Sequence, residues 1–92
     1  MAARTLNNYH VYKTDGTVET LQLKSPMKLA QLQELVGGYI EMVYFKGGLT
    51  GVVNEEGYLL DLPRNPHFDA DQFENAFAGG YVRGNLVEGL IE

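Results

Sequence analysis

The densest group of oxygen ligands in this chain is Asn54-Glu55-Glu56-Gly57, with Asp61 close behind. A hard cation needs several oxygens converging on one point. Side chains that follow one another on a strand or turn diverge, and the spacing is not that of an EF-hand loop. These residues are therefore expected to form a polar hairpin tip that holds no metal. Acid–base work by paired carboxylates would need both groups in one cleft. Nucleophilic chemistry has little to work with. There is no cysteine, and the only serine, Ser25, precedes Pro26, where helix capping explains it better. His10 and His67 are the only histidines, and neither belongs to a ligand-spaced pattern. Lys46-Gly47-Gly48-Leu49-Thr50-Gly51 is only loosely like a phosphate loop, because a strand rather than a helix follows it. The chain is thus expected to be no enzyme and to need no cofactor.

Binding is better supported than catalysis. The loops Asn54-Glu55-Glu56-Gly57 and Leu62-Pro63-Arg64-Asn65 offer carboxylates and a cation within a short stretch. Between them and the helix before them lies an aromatic strand carrying Tyr39, Glu41 and Tyr44. Tyr39 and Tyr44 have opposite parity, so one should meet the helices and the other stay exposed or enter an interface. The candidate binding set is Tyr39, Glu41, Tyr44, Asn54, Glu55, Glu56, Arg64 and Asn65. The competing reading is structural: glycines for turns, Pro63 for rigidity, and the two asparagines for side-chain-to-backbone bonds.

These residues need elements to hold them. Tyr9 to Lys13 and Val18 to Leu23 flank Asp15-Gly16, which predicts a hairpin. Ser25-Pro26 opens a helix over 26–36, with Leu29, Leu32 and Leu35 inward and Gly37 at its left-handed end. Strands follow at Tyr39 to Phe45, Thr50 to Asn54 and Tyr58 to Leu60. A second short helix is expected over 69–78. Asp69 would cap it, Gln72 would complete the capping box, and Phe68 would staple onto Phe73. Phe73, Ala76 and Phe77 would face inward, and Tyr81 to Val87 would form the last strand. The order ββαβββαβ predicts an α+β domain with a mainly antiparallel sheet. The 92 residues suffice for one domain, 1–92, and residues 1–8 are polar and expected to fray.

Composition narrows the partners. Twelve acidic residues against seven Lys and Arg give a formal charge of −5, and the cations are scattered. Nucleic acid, which needs clustered cations, is not an expected partner. No apolar run reaches the ~18 residues of a membrane span, and the N-terminus has no signal-like apolar stretch, so a cytoplasmic protein is expected. Self-association is left open.

The helix followed by Gly37-Gly38-Tyr39-Ile40-Glu41, then Asn54-Glu55-Glu56-Gly57, then Leu62-Pro63 with Asn65, resembles a family of small proteins. That family is carried by phages, plasmids and large DNA viruses and is a domain of unknown function. The resemblance covers roughly Leu29 to Asn65, with a weaker echo in Val82-Arg83-Gly84-Asn85-Leu86-Val87. It implies an accessory role inside a host cell and assigns no catalytic residue. The function expected is a binding module for a host or viral protein, with counter-defence as one setting. A small-molecule or nucleotide-sequestering protein is the alternative, using the glycine-rich turns and Arg64. A carboxylate-dependent enzyme comes last.

Overall fold

The computed structural model describes residues 7–91. They form a five-stranded antiparallel sheet of order β2-β1-β5-β4-β3, one α-helix and two single turns of 3-10 helix. The elements are β1 (Asn7–Tyr12), β2 (Val18–Leu23), α1 (Leu29–Val36), β3 (Ile40–Tyr44), β4 (Thr50–Asn54) and β5 (Leu86–Gly89). The α+β class and the antiparallel sheet agree with the sequence reading, as does the order of the elements that form. Of the stretch 1–8 expected to fray, 1–6 lie outside the described residues, and Asn7 and Asn8 belong to β1.

The β1–β2 hairpin turns as Asp15-Gly16 predicts. Lys13 donates its N–H to the Thr17 carbonyl, and Gly16 adopts φ +94°. The hydroxyl of Thr17 donates to Asp15 Oδ1 at 2.6 Å and its N–H at 2.9 Å, and these bonds hold the Asp15 carboxyl below the usual carboxylate range.

The helix is shorter than expected. It starts at Leu29, not at residue 26, because Met27 is pinned in front of it. The Met27 N–H donates to the Tyr9 hydroxyl at 2.8 Å, and the Met27 side chain is buried. Lys28 keeps an extended backbone as the N-cap, and Gln31 Oε1 accepts its N–H at 2.8 Å. Capping by Ser25 and Pro26 is thereby corrected. So is the inward role of Leu29, which is 57% exposed in the first turn, whereas Leu32 and Val36 are buried. Gly37 ends α1 in the left-handed conformation, as its position indicates.

Alternation along the strands divides the core between two faces. Tyr9, Val11, Val52 and Val87 meet Leu32 and Val36 of α1 on one face. Val43, Val53 and Leu86 meet Phe68, Phe73 and Val82 on the other. Segment 65–82 therefore roofs the second face, with aromatic edges in series. Ring centroids stand at 4.8 Å for Tyr12–Phe68, 5.6 Å for Phe68–Phe73 and 5.2 Å for Phe73–Phe77.

That roof is not the helix expected over 69–78. It contains turns at Ala70–Gln72 and Ala78–Gly80, and between them the chain runs along the outer edge of β3. Lys46 N–H donates to the Gln72 carbonyl, Glu74 N–H to the Tyr44 carbonyl, and Phe73 bridges Phe45. These bonds compete with helix formation and win, because they also close an open sheet edge. The capping box survives in half. Gln72 Oε1 accepts the Asp69 N–H at 2.7 Å, while the Asp69 carboxylate turns to Arg64 at 3.4 Å. The Phe68–Phe73 staple is present, but Ala76 is exposed.

Tyr58 to Leu60 is a turn, not a strand. Asn54 Oδ1 accepts the Glu56 N–H at 2.7 Å and curls the chain. Leu60 and Leu62 then donate back to Glu56 and Gly57, and Asp61 takes φ +52°. The last strand starts at Leu86 rather than Tyr81, because the Val82 carbonyl accepts the Asn65 N–H and Gly84 turns the chain at φ +80°.

Tyr9 is the clearest single anchor. It is fully buried, and its hydroxyl accepts from Met27 and donates to the Leu90 carbonyl at 2.7 Å. Tyr9→Phe is expected to lower stability by about 1–3 kcal/mol, since a buried N–H and a carbonyl lose their partner. Urea unfolding of the two proteins measures this, and an unchanged midpoint would show that the hydroxyl is dispensable.

Candidate functional site

The roof does not reach the end of the second face. Beyond Phe77 a cleft of about 60 Å³ opens, lined by Glu41, Val53, Asn54, Glu55, Gly57, Tyr58, Phe77, Tyr81 and Arg83 among others. Glu41 stands on β3 directly across from Val53, so its carboxylate occupies a sheet position that a core residue fills elsewhere. Glu55 follows β4, and its N–H donates to the Tyr39 carbonyl at 2.8 Å, which ties the turn to the start of β3. Both glutamates are exposed. The ion pairs among the described residues are Arg64–Asp69 and Arg83–Asp61, with the His10 ring 4.0 Å from Glu88, so neither Glu41 nor Glu55 has a cation within 4.0 Å there.

Arg83 forms the cleft's inner wall. Its side chain is 14% exposed. Nη1 donates to Asp61 Oδ1 at 2.8 Å and to the Leu62 carbonyl at 3.1 Å, and Nη2 donates to the Tyr81 hydroxyl at 2.7 Å. The guanidinium carbon lies 4.6 Å from the Tyr81 ring centre and 5.4 Å from that of Tyr58. Arg64 also approaches Tyr81, at 5.2 Å. Arginine faces and tyrosine faces attract through the ring quadrupole. Gly79 makes room for this stack: a Cβ there would lie 2.9 Å from the Tyr58 ring, and its φ is +79°.

The candidate residues do not all meet at the cleft. Glu41, Asn54 and Glu55 line the cleft, and Tyr39 and Glu56 adjoin it. Tyr44 ends β3 away from the cleft, held through its N–H by Asn75 Oδ1 at 2.8 Å. Tyr39 and Tyr44 are 66% and 46% exposed, so neither meets a core, contrary to the parity argument; Tyr39 precedes the strand and is not bound by its alternation. Arg64 is paired with Asp69 and stacked on Tyr81.

The two asparagines are builders rather than contact residues. Asn54 is buried and donates Nδ2–H to the Val36 carbonyl at 3.1 Å while its oxygen holds Glu56. Asn65 is fully buried, donates to the carbonyls of Tyr12 and Gly84, and accepts from His67 N–H. Their side chains are engaged inside the protein, as the structural reading anticipates.

Tyr58, Tyr81 and Arg83 escaped the sequence reading. Only the spacing Tyr81-x-Arg83 hints at them, and their meeting with Tyr58 depends on the Arg64–Arg83 bridge. His10 lies between Thr20 and Glu88, and His67 packs its ring on Tyr12 at 5.2 Å. No group of three or more His, Asp or Glu among the described residues is placed to hold a metal ion. No helix among them is long and apolar enough to cross a membrane. A broader, more open groove of about 450 Å³ lies elsewhere, near Leu49, Thr50 and Glu88, but its one carboxylate is already near His10.

The family described as a domain of unknown function, DUF3846, matches residues 9–87, from β1 into β5. The match is wider than the Leu29 to Asn65 stretch that carries the motif resemblance. No curated protein and no solved structure matches the chain.

Proposed function

The chain belongs to this DUF3846 family, and we propose that it is a non-enzymatic binding module for a protein partner, held at the cleft rim of Glu41, Glu55 and Tyr58. One observation carries the reading. The glutamates at the rim lack a cation among the described residues, while the arginine that could neutralise them is bonded to Asp61, Leu62 and Tyr81. A basic side chain of a partner supplies the missing charge, and the exposed faces of Tyr39 and Tyr58 supply apolar area around it.

Size favours a macromolecule over a small ligand. Pockets that enclose drug-sized molecules hold about 300–1,000 Å³, against about 60 Å³ here. A nucleotide would also need a cation for its phosphates, and Arg83 is engaged internally. The Lys46–Gly51 turn leads into β4, with no helix N-terminus to bind an anion. The phage, plasmid or viral setting that the motifs suggest fits an accessory protein of the host cytoplasm, acting for example in counter-defence.

Affinity capture from host lysate tests the reading, with wild type and Glu41→Gln/Glu55→Gln as parallel baits. A specific protein held by wild type and lost from the variant supports it; capture indifferent to the two charges opposes it. Duplex DNA serves as the negative control. With a net charge of −5 and scattered cations, no gel shift is expected at physiological salt. Micromolar binding with a steep salt slope would contradict that expectation.

A further inference from the structure

The Glu55 N–H bond to the Tyr39 carbonyl extends the β3–β4 ladder past its last pair, Ile40–Asn54. Glu41, which pairs with Val53, and Glu55 therefore stand at diagonal positions on one face of the sheet. Diagonal neighbours lie roughly 7–8 Å apart, close enough for two long side chains to reach one object. Val53, buried, forms the floor between them. The two carboxylates approach from two strands, and neither has a cation within 4.0 Å among the described residues. The tyrosine rings beside them are already engaged. Arg83 stands over Tyr58 and Tyr81, and Arg64 also stands over Tyr81. The cleft holds about 60 Å³, the liquid volume of about two water molecules at ~30 Å³ each.

We propose that the cleft takes the end of one unmodified lysine of the partner, with its ammonium between Glu41 and Glu55; this rests on the reading of the rim as a surface for a protein partner. Three features select lysine over arginine. An ammonium is a compact point charge with three donors, whereas a guanidinium is a planar fork that pairs best with a single carboxylate edge and gains from stacking on rings. Carboxylates arriving from two strands suit the ammonium. The rings that would stack a second guanidinium already carry Arg83 and Arg64. The volume admits an ammonium and its last methylene, with Val53 and Phe77 against the stem. The same features set how the lysine is read. Acetylation removes its charge. Trimethylation removes every N–H donor, and the tyrosines that would cage a quaternary ammonium are engaged by Arg83. Either modification of the partner is expected to abolish the contact.

Amide NMR spectra of the isotope-labelled chain, titrated with the capped tripeptide Gly-Lys-Gly and its arginine, acetyl-lysine and trimethyl-lysine counterparts, test this. Peptide is taken to about 20 mM, so that millimolar binding is read. Glu41→Gln/Glu55→Gln removes the site, and Glu19→Gln/Glu34→Gln removes the same charge from exposed positions on β2 and α1. The lysine peptide is expected to shift the amide signals of Glu41, Glu55 and Tyr58 in wild type and in the Glu19/Glu34 variant, and to bind about tenfold more tightly than the arginine peptide. The two modified lysines should leave those signals in place, as should every peptide with Glu41→Gln/Glu55→Gln. If that variant loses its fold, the ranking of the four peptides on wild type decides. Arginine binding as tight as lysine overturns the choice of lysine and leaves a basic partner standing, and so does binding of trimethyl-lysine. Shifts that persist in the folded Glu41→Gln/Glu55→Gln protein, equal weakening in the Glu19/Glu34 variant, or no shift of the cleft amides with any peptide overturn both the proposal and the reading beneath it.

Discussion

Leu32→Ala is expected to destabilise the protein by about 2–5 kcal/mol, the range for truncating a buried leucine. Leu32 is 2% exposed and is the one leucine of α1 that is fully enclosed, against Tyr9, Val11, Val52 and Val87. A domain of this length has roughly 5–14 kcal/mol in total, so the loss approaches the whole in the worst case. The other holds of the helix lie in its last turn, where Val36 is buried and the amides of Asn54 and Asn85 donate to the Val36 and Leu35 carbonyls. Its first turn exposes Leu29, and its cap is one Gln31 bond. Leu29→Ala is the internal contrast and should stay within about 0.5 kcal/mol, as exposed substitutions do. Urea denaturation with an unchanged m-value reads both. Equal losses at the two positions would mean that the helix does not sit as described.

The second large effect is at Asn65. Its amide joins three segments that are far apart in sequence: the end of β1 through Tyr12, the turn at Gly84, and the start of the roof through His67. Asn65→Ala leaves those two carbonyls and an N–H without the partner that satisfied them. A buried polar group without a partner costs about 1–3 kcal/mol, and partial access to water tempers the sum, so about 2–4 kcal/mol is expected. Asn65→Asp should be worse near neutral pH, because it sets a carboxylate against two carbonyls. The same unfolding assay applies. A loss under about 1 kcal/mol for alanine would show that water replaces the amide and that the roof is held by its aromatic contacts alone.

What the sequence disclosed and what it concealed follow from the range of the interactions. The Asp15-Gly16 hairpin and Gly37 at the helix end are set by neighbours in the chain, and both are legible. The start of α1 is not, because a hydroxyl from β1 eighteen residues away takes the Met27 N–H. Segment 69–78 has helical spacing and a capping box, yet the β3 edge recruits it. Local preference is a weak prior against backbone bonds of that kind. The candidate site was legible in part for the same reason. Glu41 and Glu55 stand out by type, but their relation to Tyr58, Tyr81 and Arg83 requires the return of the chain at Arg64 and Arg83. Asn54 and Asn65 looked like contact residues and proved to be buried ties.

The central claim is that Glu41 and Glu55 await a partner's cation. The direct measurement is the dissociation constant of the captured partner for wild type and for Glu41→Gln/Glu55→Gln, with melting temperatures recorded alongside. Removing one member of a desolvated charge pair costs about 2–5 kcal/mol, which is roughly 30-fold or more in affinity. The account predicts that loss at an unchanged melting temperature, together with a wild-type affinity that weakens as salt rises. Equal affinity of the two proteins for every partner, at all salt concentrations, would contradict it and leave the cleft as a by-product of folding.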